Sequence, residues 1–390
     1  MKRLTTAGFS GVALAAFAAT ALATPASAPP PLQPETLKVE TMPPRTAHMA
    51  YTFDISSLGD GRLAVYDLDR KKVLGQRGAG LMPGIAQSPD HRFTYVATTY
   101  FSRGSTGDRT DVLEIHDNRT LQKVGEVVLP AKHGQQVTSL FNTTVSEEGA
   151  FVFVTNMTPA TSMTIVDVAA RKVVNEIDTA ACVLAYPSGP RSFTSLCESG
   201  KALTVTLDEA GKEVKREQSD RFIDVEHDPV FTHAEHYGSG YVFVSFGGEV
   251  KTADFSASPA RFGAPWQLLS KLDAKQGWLP GGLQPFAVHK ASHRLYVAMH
   301  QDTAGANGGS HKEGGTEIWV FDLNTHRRLA RWPVVKAKLL PMLTLSVTQD
   351  DEPILFGSTG IGLQAFDPRT GKSVLATSNM RQSIVTTFPF

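Results

Sequence analysis

One phrase recurs along the sequence: Val65-Tyr66-Asp67, Ile115-His116-Asp117, Ile165-Val166-Asp167, Val320-Phe321-Asp322 and Ala365-Phe366-Asp367. Thr206-Leu207-Asp208 and Thr252-Ala253-Asp254 are weaker copies. Successive aspartates lie 50, 50, 41, 46, 68 and 45 residues apart, a mean of 50. An Asp side chain accepts hydrogen bonds from backbone N–H groups about two residues onward and so starts a tight turn. Basic residues follow the turn, as at Lys71-Lys72, Arg171-Lys172 and Arg327-Arg328. A second phrase precedes most copies: Phe93-Thr94-Tyr95-Val96, Phe151-Val152-Phe153-Val154, Tyr241-Val242-Phe243-Val244 and Leu295-Tyr296-Val297-Ala298. Aromatic and β-branched residues at this density read as strands. Each unit therefore holds about four short strands, and four-stranded units at this period predict a β-propeller. Seven aspartate turns predict an all-β chain with seven blades over residues 51–390. A two-domain β-sandwich would leave the even spacing unexplained. The one helical signal runs from Trp266 to Gln276.

Composition narrows the function. The 390 residues carry 38 Lys plus Arg and 38 Asp plus Glu, for zero net charge. No basic excess points to nucleic acid. Apolar residues make up 41%, enough for a large core. At the N-terminus Lys2 and Arg3 precede the apolar run Gly11–Phe17, and Ala26-Ser27-Ala28 offers small residues to a signal peptidase. Residues 1–28 read as a secretory signal peptide, with no membrane anchor after cleavage, and residues 29–50 as an extended, proline-rich leader. The run is shorter than the roughly 20 residues a spanning helix needs.

Cys182 and Cys197 are the two cysteines. In an exported chain they are expected to form one disulfide, the alternative being two buried thiols. No Cys-x-x-Cys occurs, which excludes a thioredoxin-like site, a c-type haem and a cysteine zinc knuckle. Glu226-His227-Asp228 with His233, Glu235 and His236 is the densest ionisable cluster, read as solvated loop residues rather than metal ligands. His289, His293 and His300 read as surface or satisfied polar groups, and the four tryptophans as core. Two loops, 101–109 and the glycine-rich 305–315, are long enough to meet partners. The residues alone thus give an exported propeller with no catalytic constellation of its own.

More specific stretches resemble the heavy subunit of the quinoprotein amine dehydrogenases, which comprise methylamine and aromatic amine dehydrogenase. They include Thr99–Arg103 leading to Arg109–Ile115, Pro159–Asp167, Pro190–Cys197, Trp278–Gly282, and His311-Lys312 before Glu317–Val320. The resemblance runs from about Tyr51 to the end. It implies a seven-bladed propeller with a disulfide at the matching cysteines, in the periplasm. It also implies that catalysis lies elsewhere: no catalytic residue and no metal on this chain, and tryptophan tryptophylquinone on a small, disulfide-rich light subunit. The assembly implied is α2β2, oxidising a primary amine and passing electrons to a blue copper protein of amicyanin or azurin type. One heavy-chain position, usually Phe, borders the substrate channel in that family. Alignment between Val73–Gly75 and Ser88–Asp90 places Leu81 there. Pro190–Phe193 and Met299-His300 are nearer the aromatic amine enzyme, Thr348–Asp351 nearer the methylamine enzyme, and the reading leans toward bulky amines. The competing reading is a stand-alone periplasmic propeller that binds a ligand or partner, or a lactonase-type hydrolase.

Overall fold

The computed structural model describes residues 40–54, 61–134, 139–302, 311–334, 340–377 and 384–390. The expected signal peptide, residues 29–39 of the expected leader and residues 303–310 of the glycine-rich loop lie outside them. No described helix is long and apolar enough to cross a membrane.

The named strands pair antiparallel in six sheets, and the seven-stranded sheet divides at β3, so the chain reads as successive units of four or five strands. The first blade takes β1 (Met49–Asp54), β2 (Gly61–Asp67) and the first half of β3 (Lys72–Gln87). The second half of β3 opens blade two, followed by β4 (Phe93–Phe101), β5 (Arg109–Asp117) and β6 (Lys123–Leu129). Blade three holds β7 (Thr143–Val145), β8 (Phe151–Asn156), β9 (Ser162–Asp167) and β10 (Lys172–Asp178). In blade four come β11 (Cys182–Gly189), β12 (Ser192–Cys197), β13 (Ala202–Leu207) and β14 (Glu213–Gln218). Blade five comprises β15 (Glu235–Tyr237), β16 (Gly240–Val244) and β17 (Glu249–Asp254), flanked by β18 (Arg261–Phe262) and β19 (Trp266–Gln267). Blade six consists of β20 (Trp278–Pro280), β21 (Phe286–His289), β22 (Arg294–Gln301), β23 (Glu317–Asp322) and β24 (Arg328–Pro333). The seventh has β25 (Ser346–Val347), β26 (Leu355–Ser358), β27 (Leu363–Phe366) and β28 (Ser373–Ala376). The last strand, β29 (Ile384–Pro389), pairs with β1 and supplies the first strand of blade one, closing the ring.

All seven aspartates stand at or just past the end of a third strand. Each accepts a backbone N–H two or three residues on: Arg70 to Asp67, Arg119 and Thr120 to Asp117, Ala170 to Asp167, Ala210 to Asp208, Ser256 to Asp254, Asn324 and Thr325 to Asp322, and Arg369 to Asp367. In six blades the turn ends on a left-handed residue: Lys71, Leu121, Arg171, Gly211, His326 or Gly371. The same six show a register shift between third and fourth strands. This is a bulged turn that lets the fourth strand return in the twist of the sheet. Glycine is required at Gly371, where φ is +70° and a Cβ would stand 2.3 Å from the Trp332 ring.

The second strands carry the core. Val152 and Val154 face blade two, while Phe151 and Phe153 face blade four, so strand alternation serves two interfaces at once. Seven apolar clusters result, each between adjacent blades. Cys182 and Cys197 lie opposite each other on β11 and β12 and are joined by a disulfide inside one of these clusters. Closing a loop of about 15 residues this way is worth roughly 3 kcal/mol by chain entropy. The expected helix is shorter than the sequence suggested. Of that stretch α1 (Lys271–Lys275) is helical, started by a Ser270–Asp273 capping box, while Trp266 and Gln267 pair with β17 instead.

Strand alternation sorts the connections. Turns between first and second and between third and fourth strands share one face, here the turn face. Connections between second and third strands and between blades share the other, the loop face.

At the ring's seam His48 donates toward Asp69 of blade one (Nδ1–Oδ1 2.8 Å) and toward Asp350 and the Glu352 carbonyl of blade seven (3.0 and 3.1 Å from Nε2). Both ring nitrogens meet only acceptors, which an imidazolium satisfies and a neutral ring does not. Burial alone would lower the His48 pKa, but hydrogen bonds and charge from Asp69 and Asp350 outweigh it and raise it above the usual 6.5. A raised histidine stabilises the fold fully below its unfolded pKa and stops doing so as pH rises through the folded value. Replacement of His48 by Gln is expected to cost about 0.5–1 kcal/mol near pH 6, with the cost shrinking toward pH 9. Urea unfolding of both proteins at the two pH values measures it, and a cost that does not change with pH contradicts the clasp.

Candidate functional site

The candidate site builds from the middle of β3, where the chain crosses from blade one to blade two. Gly80 adopts φ +66°, and a Cβ there would stand 2.3 Å from Thr98 Oγ1. Met82 is also left-handed, at φ 44°. Between them Leu81 pairs with Thr99 of β4, and its carbonyl accepts the Thr98 hydroxyl at 3.3 Å. Leu81 is half-buried and lies at the loop face, at the end of β4 that leads into residues 101–109. That loop is a closed hairpin rather than a free excursion: Ser102 N–H donates to the Asp108 carbonyl and Arg103 N–H to the Thr106 carbonyl, each at 3.0 Å.

Behind Leu81 sits a polar knot that the sequence did not announce. Asp111 is fully buried and accepts four hydrogen bonds. Two come from Arg109 (2.8 and 2.7 Å), one from the Thr99 hydroxyl (2.8 Å) and one from the His133 N–H (2.8 Å). Arg109 also donates to the His133 carbonyl at 2.9 Å. A bidentate Arg–carboxylate pair with every oxygen filled is the geometry in which a buried charge pair holds its surroundings rigid. The His133 ring is buried and neither nitrogen has a partner. Burial pushes its pKa down to about 4, so the ring is neutral through the neutral range. Arg109 and Asp111 stand together in the sequence, but His133 lies 22 residues on and joins through its backbone, which no side-chain pattern reports.

The histidine clusters separate on folding. Glu226 and His227 are exposed, as expected for a solvated loop, but His233 is not: it is 5% exposed, with Nε2 3.0 Å from both the Phe286 carbonyl and Glu235. The reason is that it packs between blades five and six, against Phe286. His289 is satisfied by Ser292 and the Asp350 carbonyl, and exposed His293 meets the Tyr237 hydroxyl at 2.6 Å. His300 departs from expectation, since it is buried and its Nε2 lacks a partner. It lies against Gly281, whose own Cα would carry a Cβ only 2.5 Å from the His300 ring. Near it His311 packs on Phe246, ring centres 4.2 Å apart. Burial lowers both pKa values. Among the described residues no three His, Cys, Asp or Glu converge to hold a metal.

The tryptophans decide where a quinone made from two tryptophans could sit. Trp278 and Trp319 are neighbours, ring centres 5.2 Å apart, but both are buried, and Arg331 lies 4.6 and 4.5 Å above their rings. Trp266 and Trp332 are only partly buried and pack at blade edges, Trp266 stacked on His326 at 4.7 Å. No pair of tryptophans here is open to a substrate, so these residues do not fit a quinone on this chain. A cavity of about 620 Å³ is lined by inner-strand residues such as Thr143 and Thr144, with Glu147, His236 and Lys290 also in its wall.

Residues 52–387 match the family described as methylamine dehydrogenase heavy chain (MADH). The heavy chain of methylamine dehydrogenase from Methylophilus methylotrophus is 25% identical over 319 residues, covering 80% of this chain and 76% of the relative. That from Methylorubrum extorquens is 26% identical over 321 residues, covering 80% and 75%. Among solved structures, the periplasmic gluconolactonase PpgL of Pseudomonas aeruginosa superposes with a TM-score of 0.58 at 13% identity, over 87% of this chain and 99% of that one. Dihydro-heme d1 dehydrogenase NirN gives 0.53 at 16% identity, over 88% and 66%. At such identities these two likenesses speak for the propeller fold alone. A family match across nearly the whole ring is different in kind, and on it the chain belongs to the methylamine dehydrogenase heavy chain family.

Proposed function

We propose that this chain is the heavy subunit of a periplasmic amine dehydrogenase. The observation that carries the reading is the family match from residue 52 to residue 387, which spans all seven blades. The reaction is R–CH2–NH2 + H2O giving R–CHO + NH3 with two electrons and two protons released. The acceptor of those electrons, tryptophan tryptophylquinone, belongs to a small, disulfide-rich light subunit in an α2β2 assembly. A blue copper protein of amicyanin or azurin type takes the electrons onward. This chain contributes position rather than chemistry. Its loop face receives the light subunit, and the Arg109–Asp111–His133 knot holds that face rigid beside Leu81. Leu81 borders the entrance through which the amine reaches the quinone, where a residue smaller than Phe admits a bulkier amine.

Two outcomes follow. Residues 29–390 expressed alone should show no amine-dependent dye reduction, with activity arising on co-expression with a cysteine-rich light chain. Turnover by the isolated chain contradicts the reading, and hydrolysis of gluconolactone by it favours a hydrolase. In the reconstituted complex Leu81→Phe should change the ratio of kcat/KM for methylamine and phenylethylamine by the equivalent of ~1–3 kcal/mol. An unchanged ratio with a melting temperature lowered by overpacking, worth about 1–3 kcal/mol, makes Leu81 a packing residue instead.

A further inference from the structure

On the turn face, between the segment before β1 and the second blade, lies a cavity of about 560 Å³. Its floor is apolar, made by Met42, Pro43, Pro44 and Phe390. Three arginines also line it, Arg45, Arg92 and Arg119. Among the described residues none of the three forms an ion pair. Arg45 donates to the Phe390 carbonyl at 2.5 Å, and Arg92 lies over the Phe93 ring at 4.9 Å. One carboxylate, Asp117, lines the cavity, and its Oδ1 is occupied by the N–H groups of Arg119 and Thr120 at 2.8 and 3.1 Å. The cavity thus gathers three arginines beside the Asp117 carboxylate, with Arg45 already donating to the Phe390 main-chain oxygen and Asp90 next to Arg92.

The walls are also fixed in place. Asn118, 5% exposed, accepts from the Tyr51 and Thr94 hydroxyls at 3.0 and 2.6 Å and donates to the His91 carbonyl at 2.9 Å. Tyr51 in turn packs on Phe390, ring centres 4.8 Å apart. Met42 is tied to the opposite wall by its N–H, 2.7 Å from the Arg119 carbonyl. Preformed walls reduce the ordering cost of binding. A volume of this size suits a small organic molecule. Guanidinium groups recognise carboxylate and phosphate through paired N–H donors.

We infer that this cavity binds a small organic anion, a carboxylate or phosphate monoester carrying a compact apolar group. The anionic head meets Arg45, Arg92 and Arg119, and the apolar body rests on Met42, Pro44 and Phe390. The site lies on the face opposite Leu81 and does not depend on the dehydrogenase reading.

Phenyl phosphate is the probe, titrated into the full-length secreted chain by calorimetry at low salt. Inorganic phosphate tests the charge alone and phenol the apolar contact alone. Phenyl phosphate should bind with sub-millimolar Kd, with inorganic phosphate and phenol each weaker by roughly tenfold or more. Arg92→Ala with Arg119→Ala should weaken phenyl phosphate by roughly tenfold or more, while Leu81→Phe leaves it unchanged. If the double variant melts early, Arg119→Glu takes its place, because the Asp117 turn uses the Arg119 backbone and survives the change. No binding of phenyl phosphate to the wild-type chain, or equal binding by a folded charge variant, overturns the assignment.

Discussion

Each aspartate that closes a third strand accepts a backbone N–H two or three residues onward, and that bond fixes where the fourth strand begins. The fourth strand then runs out to the blade's edge and crosses to the next blade, as β3 does in one continuous stretch. The angle of every crossing is therefore inherited from a turn. Six of these turns add a left-handed residue and a bulge at the same place, which twists the outer strand without breaking the pairing. β29 follows the Asp367 turn and β28, and joins blade one. Its place is set by pairing with β1, by Tyr51 against Phe388 and Phe390, and by the His48 clasp across the seam.

The sequence disclosed what is local and repeated. A turn aspartate acts within three residues, and strand alternation acts over two, so both leave a pattern a reader can count. Tyr241–Val244 and Phe151–Val154 lie in second strands because aromatic and β-branched side chains fill the space on both sides of a blade. Hidden from such a reading were partners brought together from different connections. His133 reaches Asp111 through its main chain, and His233 is buried because blade six packs over it, neither of which depends on nearby residue types. Trp266 failed as a helix start for the same reason, since pairing with Val250 outweighed local propensity. Asn118, Asn142 and Asn156 each begin an Asn-x-Thr triplet, yet all are buried and serve the interior.

The two faces of the ring divide the work. The loop face carries Leu81, the Arg109 knot and the His300–His311 pair, built from connections whose lengths vary from blade to blade. Between blades one and two the turn face carries the arginine-lined cavity, built on the repeated aspartate turns themselves. Among the described residues the neighbouring tryptophans Trp278 and Trp319 are buried under Arg331, and the histidines are dispersed. A rigid scaffold presenting one variable face to a catalytic partner accounts for both facts.

The central claim is that a second, smaller chain completes this one. Purification of the native protein from the cells that make it, followed by intact-mass spectrometry and a visible absorption spectrum of the same fraction, tests that claim most directly. The account predicts a small cysteine-rich chain at equal stoichiometry and a quinone band that bleaches on adding a primary amine. This chain by itself, with no visible absorption, would contradict it.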